Sequence, residues 1–430
     1  MNLLIRLPFS LNYTPPLGLA ILKSITPEFK CLDFCPDYNQ KLSKTIKWKR
    51  TRAFDNCFAF SRQFPYYIYS DILKAKDKQI FKNLEKAILN YSPKTIGFHV
   101  NFANLATTTI ISKRLHRKGI KIIWGGPETL FCYKIFKKYS FADHIFVGEA
   151  EITWREFNEG KIKEKVILPK LIKMDEIPFP DYSDFDLTKY KKIAVESQRG
   201  CINRCYFCNV RQYPNCEYLR FKSIPRLEKE IRYLKKFKND FYFADNITNF
   251  SKDRLINLCK MLAKLKIKWS AEMFAKISEL EAFWLKKSGC QTLSLGIESL
   301  SNSCLQKMNK PLKVSDSITS IKNLKKYGIR VHAMFFLGFP TENLIDELLT
   351  LLRLIRYENY IDLIGIGPYG LTINSYVYKN PKKFGIIRLK ENYYHRFMNI
   401  APYIPRNNIA KVVYEFILNY FKNKIGWWEF

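Results

Sequence analysis

The stretch that decides the fold runs from residue 199 to residue 208 and reads Arg199-Gly200-Cys201-Ile202-Asn203-Arg204-Cys205-Tyr206-Phe207-Cys208. Three residues separate its first two cysteines, and two residues separate the second from the third. Thiolates at this spacing on one loop can converge on one metal centre. A [4Fe–4S] cluster held only by protein needs four thiolates. Three thiolates therefore leave one iron open to a further ligand, as the open position of a catalytic zinc site does.

Two other interpretations of Cys201, Cys205 and Cys208 stay open. Cys216 lies eight residues after Cys208 and could complete a structural zinc site, which would make the chain a basic interaction protein without catalysis. The cysteines could also be reduced residues that only pack. We favour the cluster, because zinc sites usually pair two CxxC elements and the downstream sequence agrees with a cluster enzyme.

The CxxxCxxC spacing, with Phe207 directly before the last cysteine, resembles the signature of the radical SAM superfamily. The resemblance implies that Cys201, Cys205 and Cys208 bind three irons of a [4Fe–4S] cluster, and that S-adenosylmethionine (SAM) chelates the fourth. It also implies an electron donor such as flavodoxin or ferredoxin. One electron would then split SAM into methionine and a 5′-deoxyadenosyl radical.

Residues 191–385 predict six strand–helix repeats, which is typical of a partial (β/α)6 barrel with its chemistry at the carboxyl ends of the strands. The expected strands are residues 191–198, 241–245, 268–274, 292–297, 330–337 and 361–368. Residues in or near the ends of these strands are candidate SAM ligands: Asp245, Asn246, Glu272, Glu298, Ser299 and Gly338. Carboxylates there can bind an ammonium group or ribose hydroxyls.

Two later segments strengthen the resemblance. The run from Ser288 to Lys310 is similar to the fourth-strand signature of the family, and residues 335–342 are similar to the fifth. Carried over by position, Phe207 would border the adenine, Asp245 would bind the methionine amino group, and Glu298 with Ser299 would bind the ribose or carboxylate.

Two positions depart from the family's pattern. Asn246 stands where an aspartate pair is usual, and Met273 stands where an arginine after the third-strand acid is common. The missing arginine leaves the contact to the SAM carboxylate open.

Residues 1–165 also alternate strands and helices, with glycines at the strand ends. We expect strands at residues 3–7, 29–34, 95–100, 120–124 and 144–147, and we place the helix after the fourth strand at residues 133–139. The alternation predicts a doubly wound parallel sheet with a ligand at its carboxyl edge. Glycines there let a bulky ligand approach the backbone.

The motifs at residues 15–20, 124–127 and 147–151 resemble the N-terminal cobalamin-binding domain of B12-dependent radical SAM enzymes. The resemblance implies cobalamin contacts at Pro16, Leu17, Gly125, Gly126, Pro127, Gly148 and Glu149. The DxHxxG motif that supplies a lower axial histidine is missing, and residues 10–18 contain no histidine, which implies a histidine-off cobalamin. The alternative is a domain that keeps the fold and has lost the ligand.

The remaining segments are a linker and a tail. Prolines at 178 and 180 break regular structure, so we assign residues 166–190 to a linker. In the tail, residues 386–430, apolar residues from Val412 to Phe421 fall at helical spacing beside lysines. We expect a helix that caps the open barrel. A peripheral helix on an anionic membrane is the alternative.

Composition sets the broad class of protein. With 430 residues and 47% hydrophobic residues, the chain is long and apolar enough for two folded domains. Eleven cysteines without framework spacing, together with the cluster motif, favour the cytoplasm, and we expect no signal peptide or transmembrane helix. We attribute the net charge of +33 to residues served by A/T-rich codons rather than to a nucleic-acid partner, because no RNA-binding motif accompanies it.

Together these features predict a radical SAM enzyme that uses a [4Fe–4S] cluster, SAM and cobalamin. We expect it to methylate an unactivated carbon or to rearrange a small-molecule, lipid or peptide substrate. A tRNA methylthiotransferase-like enzyme is the alternative. That class carries a second cluster on three N-terminal cysteines and a terminal RNA-binding domain, and neither is convincing here.

Overall fold

The structure is a computed structural model. It describes residues 1–8, 13–37, 78–101, 103–210, 218–389, 400–401, 403–404 and 410–425.

The first sheet has six parallel strands in the order β2-β1-β3-β4-β5-β6. They are β1 (Asn2–Arg6), β2 (Phe29–Asp33), β3 (Thr95–His99), β4 (Lys121–Gly125), β5 (His144–Phe146) and β6 (Val166–Ile167). The predicted parallel sheet is confirmed. Its strand order reverses between β1 and β3, and such a switch point opens a ligand crevice at the carboxyl ends of the strands. The two residues of β6 lie inside the stretch that we assigned to the linker.

Five described helices accompany this sheet: α1 (Leu17–Ile25), α2 (Lys78–Leu89), α3 (Leu105–His116), α4 (Pro127–Phe136) and α5 (Glu151–Asn158). Successive side chains of β1 enter different hydrophobic clusters, because strand residues alternate between the two faces of a sheet. Leu3 and Ile5 belong to one cluster, whereas Leu4 belongs to another. The sheet is therefore covered by apolar packing on both faces.

The position predicted for the helix after β4 was wrong. α4 begins at Pro127, directly after Gly126, rather than at residue 133. Proline suits the first helical position because its missing N–H needs no partner there, and Glu128 in the first turn complements the helix dipole. The predicted range, residues 133–139, therefore overlaps only the last part of this helix.

The second sheet also has six parallel strands, in the order β14-β13-β12-β11-β10-β7. They are β7 (Ile193–Val195), β10 (Asp240–Phe243), β11 (Lys268–Phe274), β12 (Cys290–Glu298), β13 (Arg330–Leu337) and β14 (Leu363–Pro368). Chain neighbours pair in sequence, as in an open barrel of the predicted kind. The short strands β8 (Gln198–Arg199) and β9 (Arg220–Phe221) pair antiparallel beside the cysteine loop.

Six described helices connect the barrel strands: α6 (Ile224–Lys235), α7 (Lys252–Leu265), α8 (Glu279–Lys287), α9 (Asn302–Lys307), α10 (Val314–Lys326) and α11 (Leu344–Tyr357). Serine side chains cap several of them. The side chain of Ser278 accepts from the backbone N–H of Glu281, whose carboxylate in turn accepts from the backbone of Ser278. Such reciprocal capping satisfies two N–H groups and fixes where α8 begins.

The tail helix lies against the last barrel strand. Two further described helices follow the barrel, α12 (Tyr376–Lys379) and α13 (Ala410–Tyr420). Val413, Ile417 and Phe421 are buried, and the backbone N–H of Ile364 in β14 donates to the carbonyl of Lys424 at 2.8 Å. The helix therefore covers the open edge, as expected. In the described part of the chain, no helix combines the length and apolar character needed to cross a bilayer.

Candidate functional site

A pocket of about 650 Å³ opens at the carboxyl ends of the barrel strands. Cys201, Cys205 and Cys208 all line it, together with Phe207. The predicted residues Asn246, Glu272 and Glu298 reach the same pocket from the ends of three barrel strands. The structure thus brings the cysteine loop and most of the predicted polar residues to one place. A pocket of this size is within the range that holds a cofactor-sized ligand.

Backbone N–H groups of the cysteine loop point at two of its sulfur atoms. The N–H of Asn203 donates to Cys201 Sγ at 3.4 Å, and the N–H of Val210 donates to Cys208 Sγ at 3.5 Å. Donors to sulfur favour thiolates and tune the potential of iron–sulfur clusters. The three half-buried thiols and these donors are therefore chemically suited to a cluster.

The geometry does not support a single metal ion on these cysteines. Among the described residues, no three His, Cys, Asp or Glu side chains lie close enough together to hold one ion. A [4Fe–4S] cluster differs because each thiolate binds its own iron. Cys216, the fourth ligand of the zinc alternative, lies outside the described residues.

Burial raises the pKa of the Cys205 thiol to about 12, and the nearby ammonium of Lys310 opposes this shift. Burial also raises the pKa of Cys208, against the N–H of Val210. Since iron binds thiolates, loading a cluster would release protons from these thiols.

Two carboxylates in the pocket have different environments. Burial raises the pKa of Glu272, whose carboxylate accepts a hydrogen bond from the hydroxyl of Tyr242 at 3.2 Å. Glu298 accepts from Lys310 Nζ at 3.1 Å. Its backbone has φ of +67° beside an irregularity in the pairing of β12 with β13. A non-glycine residue in this conformation is strained, and such strain concentrates at functional sites.

Three predicted ligands do not line the pocket. Asp245 is buried behind its wall, where it accepts from the backbone N–H groups of Ser197 at 2.7 Å and Gln198 at 3.1 Å. Burial raises its pKa to about 6, although these hydrogen bonds oppose the shift. Ser299 is fully buried against Thr350, and the N–H of Gly338 donates to Glu342 at 2.7 Å. These residues hold the strand ends in place.

Sequence reasoning missed Lys310 as a pocket residue. Its side chain is only 6% exposed, and its ammonium lies near the rings of Phe207 and Phe274. The only signal was its position at the end of the run that resembles the fourth-strand signature.

The predicted cobalamin residues lie at the carboxyl edge of the first sheet. Gly125, Gly126 and Pro127 follow β4, Gly148 and Glu149 follow β5, and Pro16 and Leu17 begin α1 after the loop from β1. Gly126 has φ of +112°, and a Cβ there would lie 2.7 Å from the carbonyl oxygen of Val100. Only glycine allows the chain to pass so closely at this point.

One polar atom near this edge is compatible with a bound cofactor. His99 ends β3 at the switch point, and no donor or acceptor in the described part of the chain reaches its buried Nδ1. Burial and the charge of Arg6 lower the pKa of His99 to about 4. A neutral imidazole with an unsatisfied nitrogen suits a polar ligand in the crevice.

Glu149, one of the predicted cobalamin contacts, forms ion pairs with two arginines in this structure. Its carboxylate accepts from Arg199 at 2.8 Å and also pairs with Arg220. Arg199 further bonds Glu151 at 2.6 Å and Glu196 at 2.8 Å. This group, which we call the arginine clamp (Arg199, Arg220, Glu149, Glu151 and Glu196), ties the first domain to the residue that lies two positions before Cys201.

The chain is similar to known proteins both in sequence and in fold. Residues 195–355 match the family model described as the radical SAM superfamily. Over 295 residues the chain is 25% identical to an uncharacterized methyltransferase of Pyrococcus horikoshii. The alignment covers 61% of this chain and 64% of that relative, so the chain spans less than two thirds of its length.

Two solved structures share the fold over nearly the whole chain. The radical SAM methyltransferase TsrM from Kitasatospora setae, with cobalamin and a [4Fe–4S] cluster bound, superposes with a TM-score of 0.65 at 15% identity, covering 91% of this chain and 80% of TsrM. The cobalamin-dependent radical enzyme OxsB, with aqua-cobalamin and SAM bound, gives a TM-score of 0.66 at 16% identity, covering 98% of this chain and 66% of OxsB. The chain therefore carries a radical SAM domain over residues 195–355 and has the fold of the cobalamin-dependent radical SAM enzymes.

Proposed function

We propose that the chain is a cobalamin-dependent radical SAM methyltransferase that acts on an unactivated carbon of a small-molecule, lipid or peptide substrate. The observation that carries the proposal is the pocket that gathers three thiols, two carboxylates and Asn246 at the carboxyl ends of the barrel strands. The methyltransferase relative and the fold shared with TsrM and OxsB support it. A rearrangement of the same kinds of substrate is the second reaction type that this site could perform.

Different residues of the pocket would bind the cluster and SAM. Cys201, Cys205 and Cys208 would hold three irons, and the N–H groups of Asn203 and Val210 would donate to the sulfurs. A bound cluster supplies the electron that splits SAM into methionine and a 5′-deoxyadenosyl radical, chemistry that belongs to the cofactors. That electron would come from a donor such as flavodoxin or ferredoxin.

Aromatic and carboxylate side chains would orient SAM. The ring of Phe207 lines the pocket and would offer an apolar surface to the adenine, and Phe336 supports it edge-on with centroids 5.1 Å apart. Glu272, Asn246 and Glu298 offer acceptors for ribose hydroxyls and an ammonium group. Asp245 would act by holding the end of β10 rather than by touching SAM.

Cobalamin would occupy the carboxyl edge of the first sheet. Gly125, Gly126, Pro127 and Gly148 would let the cofactor approach the backbone, and His99 would offer a polar contact. Glu149 would act through the arginine clamp, which sets the first domain against the cysteine loop. The domain boundaries, the cobalamin contacts and a peripheral membrane contact of the tail all stay predictions.

The methylthiotransferase alternative has less support. In the first domain, the described cysteines are Cys31, Cys35 and Cys132, and all three are buried. The thiols of Cys31 and Cys35 donate to the carbonyls of Leu19 and Leu7, and that of Cys132 donates to the carboxylate of Glu128, so each thiol is bonded elsewhere in this structure.

Anaerobic reconstitution with iron, sulfide and hydroxocobalamin tests the proposal. The wild type should take up iron and sulfide, bind cobalamin with a changed absorbance spectrum, and form 5′-deoxyadenosine from SAM under a reductant. Cys205→Ala should lose nearly all 5′-deoxyadenosine formation, because the cluster loses one of three thiolates. Cys259→Ala, a buried cysteine of α7 outside the pocket, is the matched control. Equal turnover by both variants, or a zinc-loaded colourless wild type, would contradict the proposal.

A further inference from the structure

We propose that the outer faces of α11 and α13 form one docking surface for an anionic lipid membrane. We call this surface the apolar face and define it by six exposed side chains: Ile345, Leu348, Leu352, Val412, Phe416 and Tyr420. None of them lines the pocket of the cysteine loop, so this surface is separate from the candidate active site.

α11 turns apolar residues rather than charged ones to solvent. Ile345, Leu348 and Leu352 recur at helical spacing and are 68%, 40% and 62% exposed. The acidic side chains of this helix point inward, since Asp346 and Glu347 are each only 2% exposed. A surface helix usually has the reverse arrangement, with its charges toward water. The packing of the barrel therefore does not account for the outer face of α11.

α13 continues the same surface. Val412, Phe416 and Tyr420 recur every four residues and are all exposed, and the rings of Phe416 and Tyr420 stack with centroids 5.8 Å apart. The two helices pack side by side, and Leu351 of α11 shares a buried cluster with Ile417 of α13. Because each helix buries one face in this cluster, the opposite faces turn outward next to each other. Contiguous apolar patches of this kind mark interaction sites, whereas single exposed apolar residues are common.

The charges at the end of α11 suit an anionic partner. Arg356 is exposed in the last turn, and Nζ of Lys322 in α10 lies 5.4 Å from the ring centroid of Tyr357. Lys424, just after α13, donates from Nζ to the carbonyl of Glu358 at 2.6 Å. Tyrosines and long basic side chains beside an apolar face are typical of proteins that lie at the boundary between lipid and water.

The net charge favours a lipid surface over a second copy of the chain. The chain carries +33, so two copies would repel each other, whereas anionic headgroups attract basic side chains. Glu415 is an exposed acid of α13, and the basic residues Lys422 and Lys424 follow it. An apolar helix face with basic flanks would lie in the plane of the membrane interface.

Sedimentation of the full chain with lipid vesicles tests the proposal. The probes are vesicles of phosphatidylcholine alone and vesicles of an equal mixture of phosphatidylcholine and phosphatidylglycerol. We expect the wild type to bind the mixed vesicles more tightly. Ile345→Ser/Leu352→Ser and Val412→Ser/Phe416→Ser should each weaken this binding by about 10- to 100-fold, because two side chains no longer enter the apolar layer. Both variants keep the net charge of +33, so binding through charge alone would not change.

Leu168→Ser/Leu280→Ser is the matched control, because both leucines are about half exposed and lie outside the apolar face. This variant should bind the mixed vesicles as the wild type does. Thermal unfolding followed by circular dichroism shows whether each variant is folded. Ile345→Gln/Leu352→Gln replaces the corresponding serine variant if that variant does not fold.

The proposal is overturned if the wild type does not bind the mixed vesicles, or if the wild type and both double variants bind them equally. A loss confined to the variant of one helix would overturn the shared surface. Light scattering after gel filtration tests the second copy: a wild-type dimer that Ile345→Ser/Leu352→Ser converts into a monomer would assign the apolar face to that contact instead. Without vesicles, both double variants should form 5′-deoxyadenosine as the wild type does. Failure of the reconstituted wild type to form it would overturn the proposed function and not the membrane surface.

Discussion

Replacing Arg199 by methionine tests the arginine clamp between the two domains. Arg199 bonds Glu149 at 2.8 Å, Glu151 at 2.6 Å and Glu196 at 2.8 Å, and its side chain is 15% exposed. Methionine keeps much of the apolar stem but removes every one of these bonds. We expect a folded but clearly destabilised protein.

The size of the effect follows from the carboxylates left behind. Arg220 still pairs with Glu149 in the variant, so the loss falls mainly on Glu151 and Glu196. Removing one partner of a buried ion pair costs about 3–5 kcal/mol, because it leaves an uncompensated buried charge. Domains are stable by only about 5–15 kcal/mol, so this loss should be easy to detect.

The ion pair of Arg199 with Glu151 predicts how the stability of the variant depends on pH. Burial opposes ionisation of Glu151, yet Arg199 holds its pKa below the usual value of 4.5. In the wild type this carboxylate therefore adds stability above pH 4.5 that is lost as the pH falls through its lowered pKa. Without Arg199, only a backbone hydrogen bond and the charge of Arg220 would still oppose the effect of burial, so the pKa of Glu151 should rise and its ionised carboxylate should stabilise the folded state less at neutral pH.

Removing Arg199 should change the pKa of Glu196 in the same direction. Burial already raises its pKa above 4.5 against the opposing charge of Arg199. Without Arg199 the pKa of Glu196 should rise further. Protonation of this carboxylate then reduces the destabilisation of the variant over a wider pH range. The stability deficit of Arg199→Met should therefore be largest near pH 7.5 and shrink as the pH falls toward 5.

The assay is urea unfolding at pH 7.5 and pH 5.5, followed by tryptophan fluorescence and circular dichroism. The matched control is Arg232→Met, because Arg232 forms an exposed pair with Glu228 on α6. Such surface pairs are worth about 0–1 kcal/mol, so this variant should shift the midpoint little at either pH. If Arg199→Met shifted the midpoint no more than Arg232→Met, or equally at both pH values, our account of the clamp would be wrong.

Two further predictions concern the ends of the strands. Gly126→Ala should lower the thermal midpoint of the cofactor-free protein, because its φ is +112° and its Cβ would lie 2.7 Å from the Val100 carbonyl oxygen. Gly18→Ala, in a helix with nothing within 4 Å of a new Cβ, should instead stabilise by about 0.5–1 kcal/mol, and equal effects of the two substitutions would contradict this geometry. Burial raises the pKa of Glu342 to about 7, although the N–H groups of Gly338 and Phe339 and the Cys304 thiol oppose the shift. As the pH rises from about 4.5 to about 7, Glu342 should therefore lower the stability of the wild type, because the unfolded chain loses this proton while the folded protein keeps it. Urea unfolding of Glu342→Gln should show a shallower fall over that range, and an unchanged slope would refute the assignment.

Local sequence patterns predicted most of the strands and the cysteine loop. Strand periodicity placed all six barrel strands and the five larger strands of the first sheet, because buried parallel strands form short apolar runs that glycines and polar residues interrupt. The cysteine spacing identified the loop at the mouth of the pocket, because its three thiols lie within eight residues. The two-residue strand β6 and the true start of α4 were missed, since short elements and helix starts depend on contacts with the rest of the fold.

The sequence by itself determined which residues could do chemistry, but not which way their side chains point. Asp245 and Asn246 are adjacent at the same strand end, yet only Asn246 lines the pocket, because Asp245 satisfies backbone N–H groups behind it. Contacts with residues distant in the chain likewise pair Glu149 with Arg199 and place the ammonium of Lys310 beside the ring of Phe207. A motif fixes spacing along the backbone, whereas the burial and pairing of charges depend on which elements the folded chain brings together.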